Sequence, residues 1–189
     1  MKQTLEKNRP SNRILIAGII AIVVLISGCS ESKGSGPATR QTPCPAGADP
    51  IRDFRMQSDA MAPSFVRGDR VWICKKDQPS HRGDVLAFTR RDDPGEAPDG
   101  PFVFISRVIG LPGEEITAQD GFVYVNGARL TEDYLRTGDI GTTLGIDNPM
   151  SVTAGNVLFM GDNRSNSFDS RYFGTIPEEQ VIGLVVSDR

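Results

Sequence analysis

The first 29 residues hold the one long apolar stretch. Residues 1–13 are polar and basic (Lys2, Lys7, Arg9, Arg13), and Ile14 to Ile26 is an unbroken run of apolar residues with one Gly, followed by Ser27-Gly28-Cys29. As a helix, thirteen residues reach about 20 Å, short of the roughly 30 Å hydrocarbon core of a bilayer. Positive charge ahead and small residues behind fit a secretory signal better than a spanning helix. Ser30 to Pro50 is rich in Ser, Gly, Pro and Ala without periodic apolar positions, and reads as a flexible tether. From Ile51 the pattern changes to short apolar or alternating runs divided by turns: Arg70–Cys74, Val85–Phe88, Phe102–Val108, Asn156–Met160 and Val181–Val186. Gly121 to Leu130 alternates around Asn126-Gly127, a strong hairpin signal. Residues 90–101 and 137–149 read as loops. After residue 50 no 11-residue stretch shows a 3.6-residue period and no segment repeats. These patterns predict an all-β domain over 51–189 with a small hairpin appendage, behind a linker over 30–50 and a targeting segment over 1–29.

Composition sharpens this picture. Among 189 residues, 13 Pro and 20 Gly agree with a turn-rich β protein. The net charge is −3, and because residues 1–29 carry four Lys/Arg against one Glu, the rest holds 17 basic against 23 acidic residues, or −6. An acidic body without a basic stripe argues against a nucleic-acid partner. The one His, His81, lies between Ser80 and Arg82 in a polar approach to a strand and reads as solvated surface. A His-based metal site or a Ser-His-Asp triad is therefore not expected, nor is any metal or cofactor. Besides Cys29, Cys44 and Cys74 form an even pair in an exported protein. They are read either as a disulfide closing a loop of about 30 residues or as two free thiols.

The stretch from Gln57 to Val71 concentrates a hydroxyl, a Met, a Pro and a Gly-Asp turn ahead of the apolar run Val71-Trp72-Ile73. Pro63 predicts extended or polyproline-like backbone at Ala62, and Gly68-Asp69 a turn that launches the strand. Short stiffened segments of this kind present backbone and hydroxyls to ligands.

Four blocks resemble, in order, those of bacterial type I signal peptidases. They are Ser58-Asp59-Ala60-Met61-Ala62-Pro63-Ser64-Phe65 with Gly68-Asp69, Arg82 to Phe88, Arg107-Val108-Ile109-Gly110-Leu111-Pro112-Gly113-Glu114, and Gly161 to Gly174. The likeness covers roughly residues 51 to 186. It implies a β-rich fold in which an extended peptide docks by strand addition beside a Ser/Lys pair. A Ser hydroxyl needs a neighbouring base, and a Lys serves only when burial lowers its pKa. The resemblance places the nucleophile at Ala60 and the base at Ser106, and neither residue type can do the work. Loss of the central members of such a unit costs about a million-fold in turnover. Ser58 matches the residue that helps bind the oxyanion. Met61, Phe65 and Pro63 read as core or groove supports, and Ser64 as a turn hydroxyl.

In the last block, Gly161-Asp162-Asn163 reads as a structural turn. Asp169 and Arg171 read as an ion pair on one side of an extended chain, bracing the site together with Ser170. Ser167 matches the hydroxyl that contacts the Lys, left to bond Ser106 or water. A relocated dyad would need Ser58 with Lys75 or Lys76, although adjacent lysines usually mark solvated surface. Leu25 to Cys29 also resembles a bacterial lipoprotein cleavage box, which implies lipid on Cys29; an uncleaved signal anchor is the alternative. The favoured reading is thus an exported domain, tethered to the membrane on its extracytoplasmic side, that binds extended or signal-peptide-like segments without cutting them. The alternatives are a working serine endopeptidase with a displaced nucleophile or base, and a self-cleaving repressor-type relative. The export signal and the missing DNA-binding segment count against the last.

Overall fold

The computed structural model describes residues 44–90, 96–97, 100–137 and 145–187. The expected signal or anchor over 1–29, Cys29 and most of the 30–50 linker lie outside the described residues.

The body is all-β, as expected. Seven strands form one antiparallel sheet in the order β1 (Pro50–Arg55), β2 (Arg70–Cys74), β13 (Val181–Ser187), β3 (Val85–Phe88), β6 (Phe104–Gly110), β11 (Asn156–Met160) and β12 (Ile176–Pro177). A second sheet runs β10 (Met150–Ser151), β7 (Glu115–Gln119), β8 (Phe122–Val125) and β9 (Ala128–Arg129), and β4 (Glu96–Ala97) pairs with β5 (Gly100–Pro101) inside the expected loop. Asn126 and Gly127 both take positive φ, 48° and 79°, and turn β8 into β9 as the Asn-Gly pair predicts. Among the described residues, helical backbone is limited to α1 (Ser170–Phe173) and a 3-10 turn over Glu178–Gln180.

Alternation decides which face each side chain serves. In β3, Val85 and Ala87 join the cluster of Met56, Met61, Val71 and Ile73, while Leu86 and Phe88 join Val108, Val157 and Phe159 on the other face. Both faces of β3 are thus covered, and all four of its residues are buried. The Phe88 and Phe159 rings stack at 4.3 Å. A third cluster, including Ile109, Ile116, Val123 and Leu158, fastens the small sheet to the end of β6 and β11.

Cys44 and Cys74 are joined by a disulfide, so the two-thiol alternative is set aside. Together with the bond from the Lys75 amide to the Asp49 carbonyl, it ties residues 44–49 to the end of β2.

Candidate functional site

The loop between β1 and β2 is closed at its base by Met56, whose amide donates to the Asp69 carbonyl and whose carbonyl accepts from the Gly68 amide, each at 2.9 Å. Inside it, the Ala62 amide donates to the Asp59 carbonyl and the Phe65 amide to the Met61 carbonyl. Ala62 therefore sits within a hydrogen-bonded turn, with a cis bond to Pro63. Burial folds the loop: Met61 at 0% exposure and Phe65 at 9% enter the core seven and three residues ahead of Gly68, which turns the intervening chain back on itself. Pro63 is exposed.

Gly161 to Arg171 forms the ground on which that loop stands. The Asn163 amide donates to the Ala60 carbonyl at 3.0 Å, and its side-chain amide donates to the Asp59 carbonyl at 3.1 Å. Gly161 is required by space: a Cβ there would lie 2.6 Å from the Ala60 oxygen and 2.2 Å from Ser167 Oγ. Asp169, fully buried, accepts from the Gly161 amide at 2.9 Å and from Arg171 Nε and Nη2 at 2.8 Å each. The expected ion pair is present on different backbone: Asp169 is the N-cap of α1 and Arg171 lies in its first turn, so the cap, not an extended strand, brings them together. Ser170 Oγ accepts from the Phe159 amide at 2.9 Å and locks α1 to β11.

Gly161-Asp162-Asn163 does more than turn the chain. Asp162, at 0% exposure, takes a bidentate pair from Arg107 (Nε 2.8 Å, Nη2 2.6 Å) and a bond from Ser64 Oγ at 2.5 Å. Ser64 is thus part of a charged network, not an isolated turn hydroxyl. The Arg107 guanidinium also donates to the Gly83 carbonyl and lies 4.0 Å from the centre of the Tyr134 ring. Beside it, buried Arg164 donates to the Gly161 carbonyl and to Glu132. Burial opposes the charge on Arg164, but the hydrogen bond and attraction of Glu132 outweigh it and raise its pKa. Burial, then the charge and hydrogen bond of Glu132, push the Tyr134 hydroxyl far above its ordinary range, so it stays a donor to Glu132. Sequence reading singled out none of Arg107, Arg164, Glu132 or Tyr134. Arg107, adjacent to the expected base position, carried the one available signal.

Between the loop, β6 and this ground lies a cleft of about 630 Å³. The structure brings Ser58, Ala60, Ser106 and Ser167 together on its walls. Apolar walls come from Phe54, Met56, Val103 and Ile105, with Phe168 and Tyr172 at one side. Ser106 is 3% exposed, paired with Leu86 across β3 and β6. Ser167 Oγ is buried and has no hydrogen-bond partner among the described residues, so the expected bond to Ser106 is not formed. No Lys, His, Asp or Glu lines the cleft among the described residues. Lys75 is exposed and pairs with Asp77 at 3.0 Å. Lys76, expected on the surface, is 11% exposed and approaches Glu178, which also binds the Ser80 amide and hydroxyl. His81 is 73% exposed. Among the described residues no cluster of His, Cys, Asp and Glu is arranged to hold a metal, and no helix is long and apolar enough to cross a membrane.

The family model described as signal peptidase, peptidase S26, matches residues 50–187. Signal peptidase I V of Bacillus subtilis is 35% identical over 147 residues, covering 70% of this chain and 82% of its own. Probable signal peptidase I-2 of Synechocystis is 36% identical over 129 residues, and the alignment spans 67% of this chain and 57% of that protein. The crystal structure of a signal peptidase I from Enterococcus faecalis aligns with a TM-score of 0.47 and 30% identity, over 58% of this chain and 98% of its own. The family match runs through both sheets and every wall of the cleft, and the chain belongs to the signal peptidase family, peptidase S26.

Proposed function

We propose that this chain is a signal-peptidase-like domain that holds extended, signal-peptide-like segments of exported proteins in its cleft without cutting them. The observation that carries the reading is the chemistry of the cleft walls. They offer the hydroxyls of Ser58, Ser106 and Ser167, but no amine, imidazole or carboxylate among the described residues to take a proton from any of them. Acyl transfer through a serine needs such a base within hydrogen-bond reach. Both lysines considered as substitutes are engaged elsewhere, with Asp77 and Glu178. The binding half of the chemistry is better supported. Among the described residues, β1 is an edge strand of its sheet, and β6 pairs with β11 only from Arg107 onward, leaving one side of Phe104–Ser106 open beside the cleft. Two open strand edges flanking an apolar groove suit an extended peptide.

The domain is further proposed to be exported and tethered through its first 29 residues, with lipid on Cys29 and the cleft on the extracytoplasmic side. Metabolic lipid labelling tests the tether: Cys29→Ser abolishes the label, and membrane attachment without any label in the parent chain overturns it.

The cleavage test uses the purified full chain in detergent micelles, at high concentration, with a signal-peptide-bearing substrate. No specific cleavage is expected. Cleavage after a small-x-small site that disappears in Ser58→Ala overturns the reading in favour of a displaced nucleophile. The double variant Ala60→Ser/Ser106→Lys is expected to gain cleavage that neither single substitution confers.

A further inference from the structure

Four large apolar side chains are more than 45% exposed among the described residues: Ile51, Phe102, Phe168 and Tyr172. Two of them stand together. Phe168 (56% exposed) and Tyr172 (69%) are four residues apart across the start of α1, their rings stacked with centroids 5.3 Å apart, and both line the cleft. The Phe168 ring meets Phe173 edge-on at 5.5 Å, which anchors the pair to the packed aromatic cluster beneath. An exposed aromatic ridge held by a rigid helix cap contributes little to the core, yet presents a large apolar surface to whatever enters the cleft. The facing wall is apolar as well, through Met56 and Ile105, and no charged side chain lines the cleft among the described residues.

We infer that the Phe168–Tyr172 ridge is a specificity element that selects a bulky aromatic or aliphatic side chain at one position of an uncharged, extended peptide. The inference rests on the peptide-binding reading above and adds what the bound peptide must carry. Small side chains leave the ridge wet. A Phe or Leu laid against it removes apolar surface on both partners from water. The cleft lining is uncharged and the Arg90 guanidinium lies 5.7 Å from the Phe168 ring, so an uncharged peptide forms no ion pair for salt to screen.

The test uses the full chain in detergent micelles and a fluorescein-labelled, uncharged decapeptide of Ala, Ser and Thr, in which a single Phe is scanned through every position. One register is expected to bind at least about tenfold more tightly than the Phe-free parent, the order of what burying much of an aromatic side chain contributes. Phe168→Ala/Tyr172→Ala is expected to reduce that ratio to below about threefold. Phe168→Leu, which keeps apolar bulk, retains part of it, and Ile51→Ala, outside the cleft, leaves it unchanged. Raising NaCl from about 0.1 to 1 M is expected to shift the preferred peptide's Kd by less than about twofold. Thermal midpoints near that of the parent chain verify that both ridge variants are folded. Binding of the Phe-free parent with no positional preference, or a preference that survives the double substitution, overturns the ridge alone. Failure of every peptide to bind overturns the ridge and the peptide-binding function together.

Discussion

Asp162 is the joint on which the cleft loop and its ground are assembled, and replacing it with Ala gives a quantitative test. Its carboxylate is fully buried and accepts two bonds from Arg107 and one from Ser64, which joins β6, the β1–β2 loop and the turn after β11. Removing one partner of a buried pair leaves the other charge uncompensated, at about 3–5 kcal/mol. Arg107 is 12% exposed, keeps the Gly83 carbonyl and retains the Tyr134 ring at 4.0 Å, which places the expected loss near the lower bound, about 3 kcal/mol. For a domain of this size that corresponds to a fall in Tm of about 9–12 °C. Far-UV circular dichroism on heating, with the disulfide intact, reads it directly. The companion double variant Asp162→Leu/Arg107→Met removes both charges and is expected to recover most of the loss, because no buried charge is left unpaired. A fall below about 3 °C for Asp162→Ala, or a double variant as unstable as the two single losses added, refutes the assignment of this pair as the joint.

Gly161→Ala is expected to destabilise the fold by about 1–3 kcal/mol and to weaken peptide binding in the cleft, because the new methyl would strike Ser167 and the Ala60 carbonyl; unchanged binding by fluorescence anisotropy contradicts it. Reduction of Cys44–Cys74, or Cys44→Ser with Cys74→Ser, is expected to cost about 3–4 kcal/mol for a 30-residue separation, read from urea midpoints. Burial raises the Glu114 pKa, but the hydrogen bonds from the Arg82 side chain and the Leu111 amide, with the Arg82 charge, outweigh it and hold the group below the ordinary glutamate range. A lowered folded-state pKa contributes stability above the unfolded pKa and loses it as pH falls through the folded value. The Tm difference between the parent and Glu114→Gln is therefore expected to be constant near neutrality and to shrink below about pH 4.5, and a difference independent of pH would contradict the Arg82 pairing.

Much of the fold was legible because short strands announce themselves by burial. Arg70–Cys74, Val85–Phe88 and Asn156–Met160 are apolar runs bounded by turn residues, and Asn126-Gly127 can take the positive φ that the hairpin needs. The positions gathered in the cleft were legible through motif order, since Ser58, Ala60, Ser106 and Ser167 lie far apart in sequence and meet only through sheet topology. The rest depended on tertiary partners that local pattern does not encode. Ser64 looked like a turn hydroxyl because Asp162 is 98 residues away. Lys76 looked solvated because Glu178 is 102 residues away. The hydrogen-bonded turn around Ala62 was not signalled by the rule for a residue before Pro, which is local, while the burial of Met61 and Phe65 that folds the loop is not. The Asp169–Arg171 pair was visible as spacing, but a two-residue interval fits both a strand face and a helix cap, and only the fold distinguishes them.

The covalent link between Cys44 and Cys74 has a mechanical consequence. Among the described residues β1 is an edge strand held by β2 alone, with Pro50 opposite Cys74, so tension entering from residue 50 would open its hydrogen bonds one after another, like a zip. With the disulfide closed, a pull transmitted along the chain to residue 44 bypasses β1 and is delivered to the end of β2, a strand flanked on both sides. There β2 and β13 must shear along their shared length. Phe54 to Ser58, the side of the cleft continuous with β1, is then relieved of tension, and the groove keeps its width while the molecule is tugged from its N-terminal side.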